Sequence, residues 1–162
     1  MAENNDIVFW HNSYSIGIEL IDEQHMHLFT FTNGLFASCM SDQCTRSTYL
    51  HTIHEAIDYV DYHFGTEHKL MERIHYPDYG VHKQEHISFS RELFGRVEEF
   101  CSGKTLTPLS FVYYLKDWIN NHIAISDKKL GEYLKELWRS GELLKISLML
   151  EKEEAAKRTR TR

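Results

Sequence analysis

Seven potential metal ligands stand at helical spacings along this chain: His25, His63 with Glu67, His82 with His86, and His122 with Asp127. On an α-helix, residues four apart lie about 40° apart in projection and one turn apart in height. His63 and Glu67 can therefore aim at one point, and so can His82 and His86. His25 and His122 come from separate segments, so the full set meets only if four helices pack around a common centre. Helical bundles hold dinuclear metal sites in this way.

The apolar pattern supplies the helices. Asp22 is an N-cap candidate for a first helix over about residues 22–39, in which Leu28, Phe29, Leu35 and Phe36 recur at three- and four-residue steps. Ser41 or Asp42 opens a second, about 43–73, with Ile53, Ala56 or Ile57 and Val60 leading to His63 and Glu67. Pro77, Asp78 and Gly80 signal a turn before a third, about 79–101, where His82, His86, Phe89, Leu93, Val97 and Phe100 share a face. Gly103 ends that helix. Thr107 and Pro108 read as N-cap and first residue of a fourth, which carries Phe111, Leu115, Trp118 and His122. The fold class is all-α: an up-down-up-down four-helix bundle with an N-terminal arm over residues 1–21 that closes one end of the core. The domain reading is a metal-binding bundle over 1–130 and a helical extension over 131–162. In the extension Leu130, Leu134, Leu137 and Trp138 form one stripe, and Leu143 to Leu150 is apolar around most of its circumference. This segment folds back on the bundle or meets a second copy or a protein partner through residues 130–150. The basic end from Lys157 is expected to be disordered.

A length of 162 residues with 42% hydrophobic side chains suits one core. A net charge of -6 argues against nucleic acid as a partner. No apolar run approaches the roughly 18 residues of a membrane span, and the polar start carries no secretory pattern, so a soluble, cytoplasmic protein is expected. Cys39, Cys44 and Cys101 make an odd number without a C-x-x-C spacing, which predicts reduced thiols and neither a disulfide framework nor a zinc knuckle.

Five imidazoles and two carboxylates suit two first-row metal ions. Iron fits a histidine-rich, carboxylate-bridged set. Zinc accepts the same donors, although seven protein ligands exceed its usual four per ion. The His122–Asp127 spacing of five places the two about 140° apart on a regular helix, which predicts a wide turn between Ile123 and Ser126. His11, His27, His51, His54, His68 and His75 are read as surface residues off the ligand face. Gly65, inside the ligand-bearing second helix, suggests a close approach by another group.

Ser15-Ile16-Gly17-Ile18, Asp22-Glu23-Gln24-His25, His63-Phe64 with Glu67 and Met71, His82 with His86, and Trp118 through His122 to Asp127 together resemble the hemerythrin family, in particular its bacterial single-domain members. The resemblance covers about residues 8–130. It implies that His82, His86 and His122 bind one iron, His25 and His63 the other, and that Glu67 and Asp127 bridge them with an oxo or hydroxo group. It implies reversible dioxygen binding at the open position of the two-histidine iron, for oxygen storage, delivery or sensing. By the same comparison Leu28, Phe64, Trp118, Ile119 and Ile123 line an apolar dioxygen pocket. The alternatives are a di-iron enzyme that reduces peroxide or nitric oxide, or an oxygen or redox sensor that signals through the C-terminal extension. The residue after Glu67 is often a second acid in the family, and here it is His68.

Overall fold

The computed structural model describes residues 6–41, 45–103 and 108–143. A single 3-10 turn, Asn12–Tyr14, precedes α1 (Glu19–Met40), α2 (Arg46–Arg73), α3 (Tyr79–Cys101) and α4 (Pro108–His122). A π-helical turn, Ile123–Asp127, then leads directly into α5 (Lys128–Arg139). Helix α1 packs on α2 and on α4, and α2 packs on α3, the neighbour relations of a four-helix bundle with short connections. The described residues contain no strand.

Helix ends follow local chemistry, with one correction at α1. That helix begins at Glu19, and Asp22 lies inside it rather than capping it. The Asp22 carboxylate reaches back instead, accepting hydrogen bonds from Ser15 Oγ at 2.6 Å, the Ile16 amide at 2.8 Å and the Gly17 amide at 3.2 Å. Arm amides offered a better set of donors than the helix's own first turn, so the residue anchors the arm. Gly17 takes φ +85°, a region open to glycine, and turns the chain into α1. Helix α2 stops in a Schellman-like reversal. The Tyr76 amide donates to Met71 O at 2.9 Å, and His75 occupies the left-handed position at φ 52°. Gly103, at φ +79°, follows α3. Asp42, Cys44 and Thr107 lie outside the described residues.

Two apolar clusters divide the interior. The larger holds Leu28, Phe29, Leu35, Ile53, Phe64, Phe89, Phe111 and Ile119, and the smaller holds Met71, Ile74, Tyr76, Leu130 and Leu137. On α2, Phe64 joins the first cluster and Met71 the second, with Glu67 between them. On α3, His82 and His86 likewise precede Phe89. The candidate ligand layer is thus a buried polar slab between two apolar ones.

The arm lies over this layer. Trp10 and Tyr14 meet Phe29 at ring separations of 5.8 and 5.2 Å, and Trp10 stands 6.4 Å from the His25 ring. The Asn33 side-chain amide holds the arm backbone, accepting from the Ile7 and Val8 amides and donating to Val8 O. At the other end Lys128 Nζ donates to Ser15 O at 2.6 Å. Helix α5 crosses so near Ile16 that a Cβ on Gly131 would stand 2.6 Å from Ile16 O. This is the close approach expected of Gly65, where a Cβ would meet nothing within 4 Å. The first turns of the extension therefore fold onto the bundle. Leu130 and Leu137 are buried, but Trp138, assigned to the same stripe, is 74% exposed. The residue-130 boundary falls within α5. Residues 144–162, including most of the apolar run and the basic end, lie outside the described residues.

Candidate metal centre

His25 is presented by α1, His63 and Glu67 by α2, His82 and His86 by α3, His122 by the last turn of α4, and Asp127 by the π turn. All seven are buried. Their donor atoms form two groups, each within 4.8 Å: Glu67, His82, His86, His122 and Asp127 on one side, and His25, His63, Glu67 and Asp127 on the other. The two carboxylates belong to both. The wide turn brings Asp127 round, so that its Oδ1 lies 3.2 Å from His122 Nε2 despite the five-residue spacing.

Hydrogen bonding within the cluster does not satisfy these groups. His122 Nε2 faces His86 Nε2 at 2.7 Å and His82 Nε2 at 3.1 Å, an arrangement in which lone pairs oppose one another unless protons or a cation intervene. Carboxylate oxygens of Glu67 and Asp127 stand 3.2–3.8 Å from the imidazole nitrogens around them. Even so, both oxygens of each carboxylate and both nitrogens of His25 lack a hydrogen-bond partner. Buried polar atoms left in that condition cost several kcal/mol. Donors about 2.1 Å from a first-row metal ion stand about 3 Å apart at right angles, close to the spacing here. The residues therefore fit two metal ions sharing Glu67 and Asp127.

Electrostatics agree. Burial disfavours charge on every imidazole. It prevails at His63, pushed down to about 4, and at His86, pushed down to about 2. At His25 and His82 burial is outweighed by Asp127 and Glu67, which raise both to about 9. Glu67 is held at about 2 and Asp127 well below its ordinary range. In each case the surrounding histidines overcome both burial and, at Glu67, the repulsion of the other carboxylate. The cavity demands positive charge, and protons supply it where metal does not.

Outside the cluster, three ligands have acceptors for the opposite ring nitrogen. His63 Nδ1 lies 3.0 Å from Gln24 Oε1, and Gln24 Nε2 donates to Thr66 Oγ1 at 3.2 Å. His122 Nδ1 lies 3.1 Å from Glu85 Oε2, which also accepts from Ser126 Oγ at 2.6 Å. His86 Nδ1 lies 3.0 Å from His68 Nε2. With the proton on Nδ1, each of these rings turns an Nε2 lone pair toward the cluster.

The family model for the hemerythrin HHE cation binding domain matches residues 16–134. The chain belongs to the hemerythrin family. It is 30% identical over 129 residues to a bacteriohemerythrin of Stenotrophomonas maltophilia, covering 80% of this chain and 82% of that protein. A hemerythrin-like protein of Naegleria gruberi is 29% identical over 120 residues, 74% of this chain and 87% of that one. A crystal structure of wild-type hemerythrin superposes with a TM-score of 0.71 at 26% identity, covering 78% of this chain and 96% of that chain.

Of the apolar residues expected beside the hemerythrin centre, Leu28, Phe64, Ile119 and Ile123 are buried in the larger cluster and Trp118 packs against it, half-buried. Phe64 stacks on the His86 ring at 3.6 Å, and Trp118 stacks on His122 at 4.3 Å and on Phe89 at 3.9 Å. Trp118 and His122 also border an open cleft of about 780 Å³ with Val81, Gln84, Glu85 and Ile125. His68 corrects the surface reading. It is half-buried because α2 leans on α3 at that level, and burial together with the Lys83 ammonium holds it below the ordinary histidine range. His11, His27, His51, His54 and His75 are exposed. Gln24 and Glu85 escaped the sequence reading, since neither spacing nor residue type marks a ring-nitrogen acceptor on a different helix. Cys39 is half-buried and Cys101 exposed. No helix among the described residues is long and apolar enough to cross a membrane.

Proposed function

We propose that this protein binds dioxygen reversibly at a non-heme di-iron centre, for oxygen storage, delivery or sensing, without turning over a substrate. His82, His86 and His122 would hold one iron, His25 and His63 the other, and Glu67 and Asp127 would be shared between them. Two irons with a bridging oxo or hydroxo group supply the electrons and the open coordination position that dioxygen binding needs. The observation that carries this reading is the unequal division of donors, five on one side and four on the other, with both carboxylates shared. Five donors on one side and four on the other would saturate one metal ion more fully than the second, so the side held by His25 and His63 is where a small ligand would bind. Nitrogen and carboxylate donors at that number suit iron better than four-coordinate zinc.

The chain's own residues then keep the site dry. Leu28, Phe64, Ile119 and Ile123 form apolar walls, Trp118 stacks on the His122 ring and Trp10 stands beside the His25 ring, so that water and protons have poor access to whatever occupies the free position. Peroxide or nitric oxide reduction draws no comparable support, because oxygen-activating bundles use carboxylate-rich sets with Glu-x-x-His repeats. Residues 1–130 are taken as the metal-binding bundle and 131–162 as an extension. Exposed Trp138 on that extension offers a contact to a second copy or a protein partner. The test is the visible spectrum of anaerobically reduced, iron-quantified protein before air, after air and after oxygen removal. Iron at about two per chain and an absorption that appears and reverses are expected. Irreversible oxidation overturns reversible binding, and a chain that takes up no iron overturns the metal assignment.

A further inference from the structure

His68 follows Glu67 on α2 and leans on α3, and its surroundings give it a defined task. Its Nε2 lies 3.0 Å from His86 Nδ1. His86 Nε2 points inward, 2.7 Å from His122 Nε2 and 3.3 Å from Glu67 Oε2, so its lone pair is committed to the metal group and its proton sits on Nδ1. His68 Nε2 must then be the acceptor, which requires an uncharged ring protonated on Nδ1. The His68 ring is held edge-on to Tyr79 at 5.9 Å. Tyr79 is fixed in turn, its hydroxyl donating to Glu72 Oε1 at 2.7 Å and accepting from Lys83 Nζ at 3.2 Å. Phe64 stacks on the face of His86 at 3.6 Å, so stacking sets the plane of that ring and His68 sets its rotation within the plane.

We propose that His68 is a positioning residue whose Nε2 accepts a hydrogen bond from His86 Nδ1–H, fixing that ring for metal binding and giving it an uncharged acceptor. The contrast is present within the same centre: His122 leans on the carboxylate of Glu85, whereas His86 leans on an imidazole. A carboxylate acceptor draws the Nδ1 proton further from the ring, makes the imidazole a stronger donor and favours the more highly charged metal. A neutral acceptor does this less, and so holds the centre toward its reduced form.

This inference rests on the di-iron reading, and the experiment separates the two. His68→Gln, His68→Glu and His68→Leu are compared with the parent chain, all iron-loaded, for metal retention against a chelator and for reduction potential by spectroelectrochemistry. Glutamine offers an uncharged oxygen, as Gln24 does to His63, and should stay close to the parent in both readouts. Leucine removes the acceptor and should weaken metal retention roughly 10- to 100-fold. Glutamate should shift the potential negative, each tenfold gain in preference for the oxidised ion being about 59 mV for one electron. If glutamine and leucine behave alike, or if glutamate leaves the potential at the parent value, His68 is packing only and the proposal fails while the di-iron reading stands. If the leucine variant does not fold, the glutamine–glutamate pair still decides, since the two differ in charge and hardly in shape. A parent chain that holds no iron overturns both readings.

Discussion

Two alanine substitutions at helical glycines should have opposite effects. Either change removes glycine's backbone entropy cost in a helix, worth about 1 kcal/mol. At Gly65 a new Cβ meets nothing within 4 Å, so Gly65→Ala should stabilise the protein by up to about 1 kcal/mol. At Gly131 the same atom would stand 2.6 Å from Ile16 O, 2.9 Å from Ile16 Cβ and 3.0 Å from Ile16 Cα. Two of those three atoms are backbone, in a segment pinned by Asp22 and Lys128, so they cannot rotate away. Overpacking of this kind costs about 1–3 kcal/mol, and the upper part of that range applies where backbone must move. The net expectation for Gly131→Ala is a loss of about 1–2 kcal/mol, and the gap between the two variants, about 2–3 kcal/mol, measures the clash. Denaturant unfolding of both against the parent, with unchanged m-values, reads that gap directly. Because the displaced arm carries Trp10, which stands 6.4 Å from the His25 ring, iron-loaded Gly131→Ala should also oxidise irreversibly faster in air than Gly65→Ala. A Gly131→Ala protein as stable as Gly65→Ala would refute the packing argument and, with it, the claim that α5 locks the arm over the centre.

The remaining predictions concern the centre itself. Glu67→Ala removes a group shared by both donor sets and should lower iron content on both sides, whereas His63→Ala should weaken mainly the side completed by His25; equal, full loading of either variant, measured by elemental analysis, would contradict the assignment. Metal-free protein should be most stable near pH 6.5 and should lose stability steadily as pH rises from there to about 9. The raised His25 and His82 contribute stability below the unfolded value, and it is lost as pH climbs through about 9. The depressed His63 and His86 favour the unfolded chain as pH falls below about 6.5, and Glu67 and Asp127 lose their contribution further into acid. Loading metal at pH 7 should then release about two protons from His25 and His82, seen as buffer-dependent heat in calorimetry, with no such release above pH 9.5 or so. Removing residues 144–162 should leave iron content and dioxygen affinity unchanged, because the buried contacts of α5 precede the cut; a changed affinity would instead favour signalling through the extension.

The convergence of these seven side chains is legible in the order of residues alone, because i, i+4 pairs on amphipathic helices leave little freedom. His63 with Glu67 and His82 with His86 continue stripes whose inward direction the neighbouring leucines and phenylalanines already declare. Even the irregular turn at Ile123–Asp127 is readable, as the geometric remainder of a five-residue spacing. Contacts between segments are a different matter. Asp22 has the composition of a helix cap and acts as an arm anchor, because three donors from residues 15–17 outcompete the helix end. Gly65 and Gly131 look alike on a helix, and only the path of the arm shows which one cannot carry a Cβ. Likewise His68, Gln24 and Glu85 become partners of His86, His63 and His122 only once helix packing brings outer ring nitrogens and acceptors within 3.1 Å, a distance no periodicity encodes. Local spacing fixes which side chains point inward, whereas the helix-to-helix approach decides what stands behind each ligand.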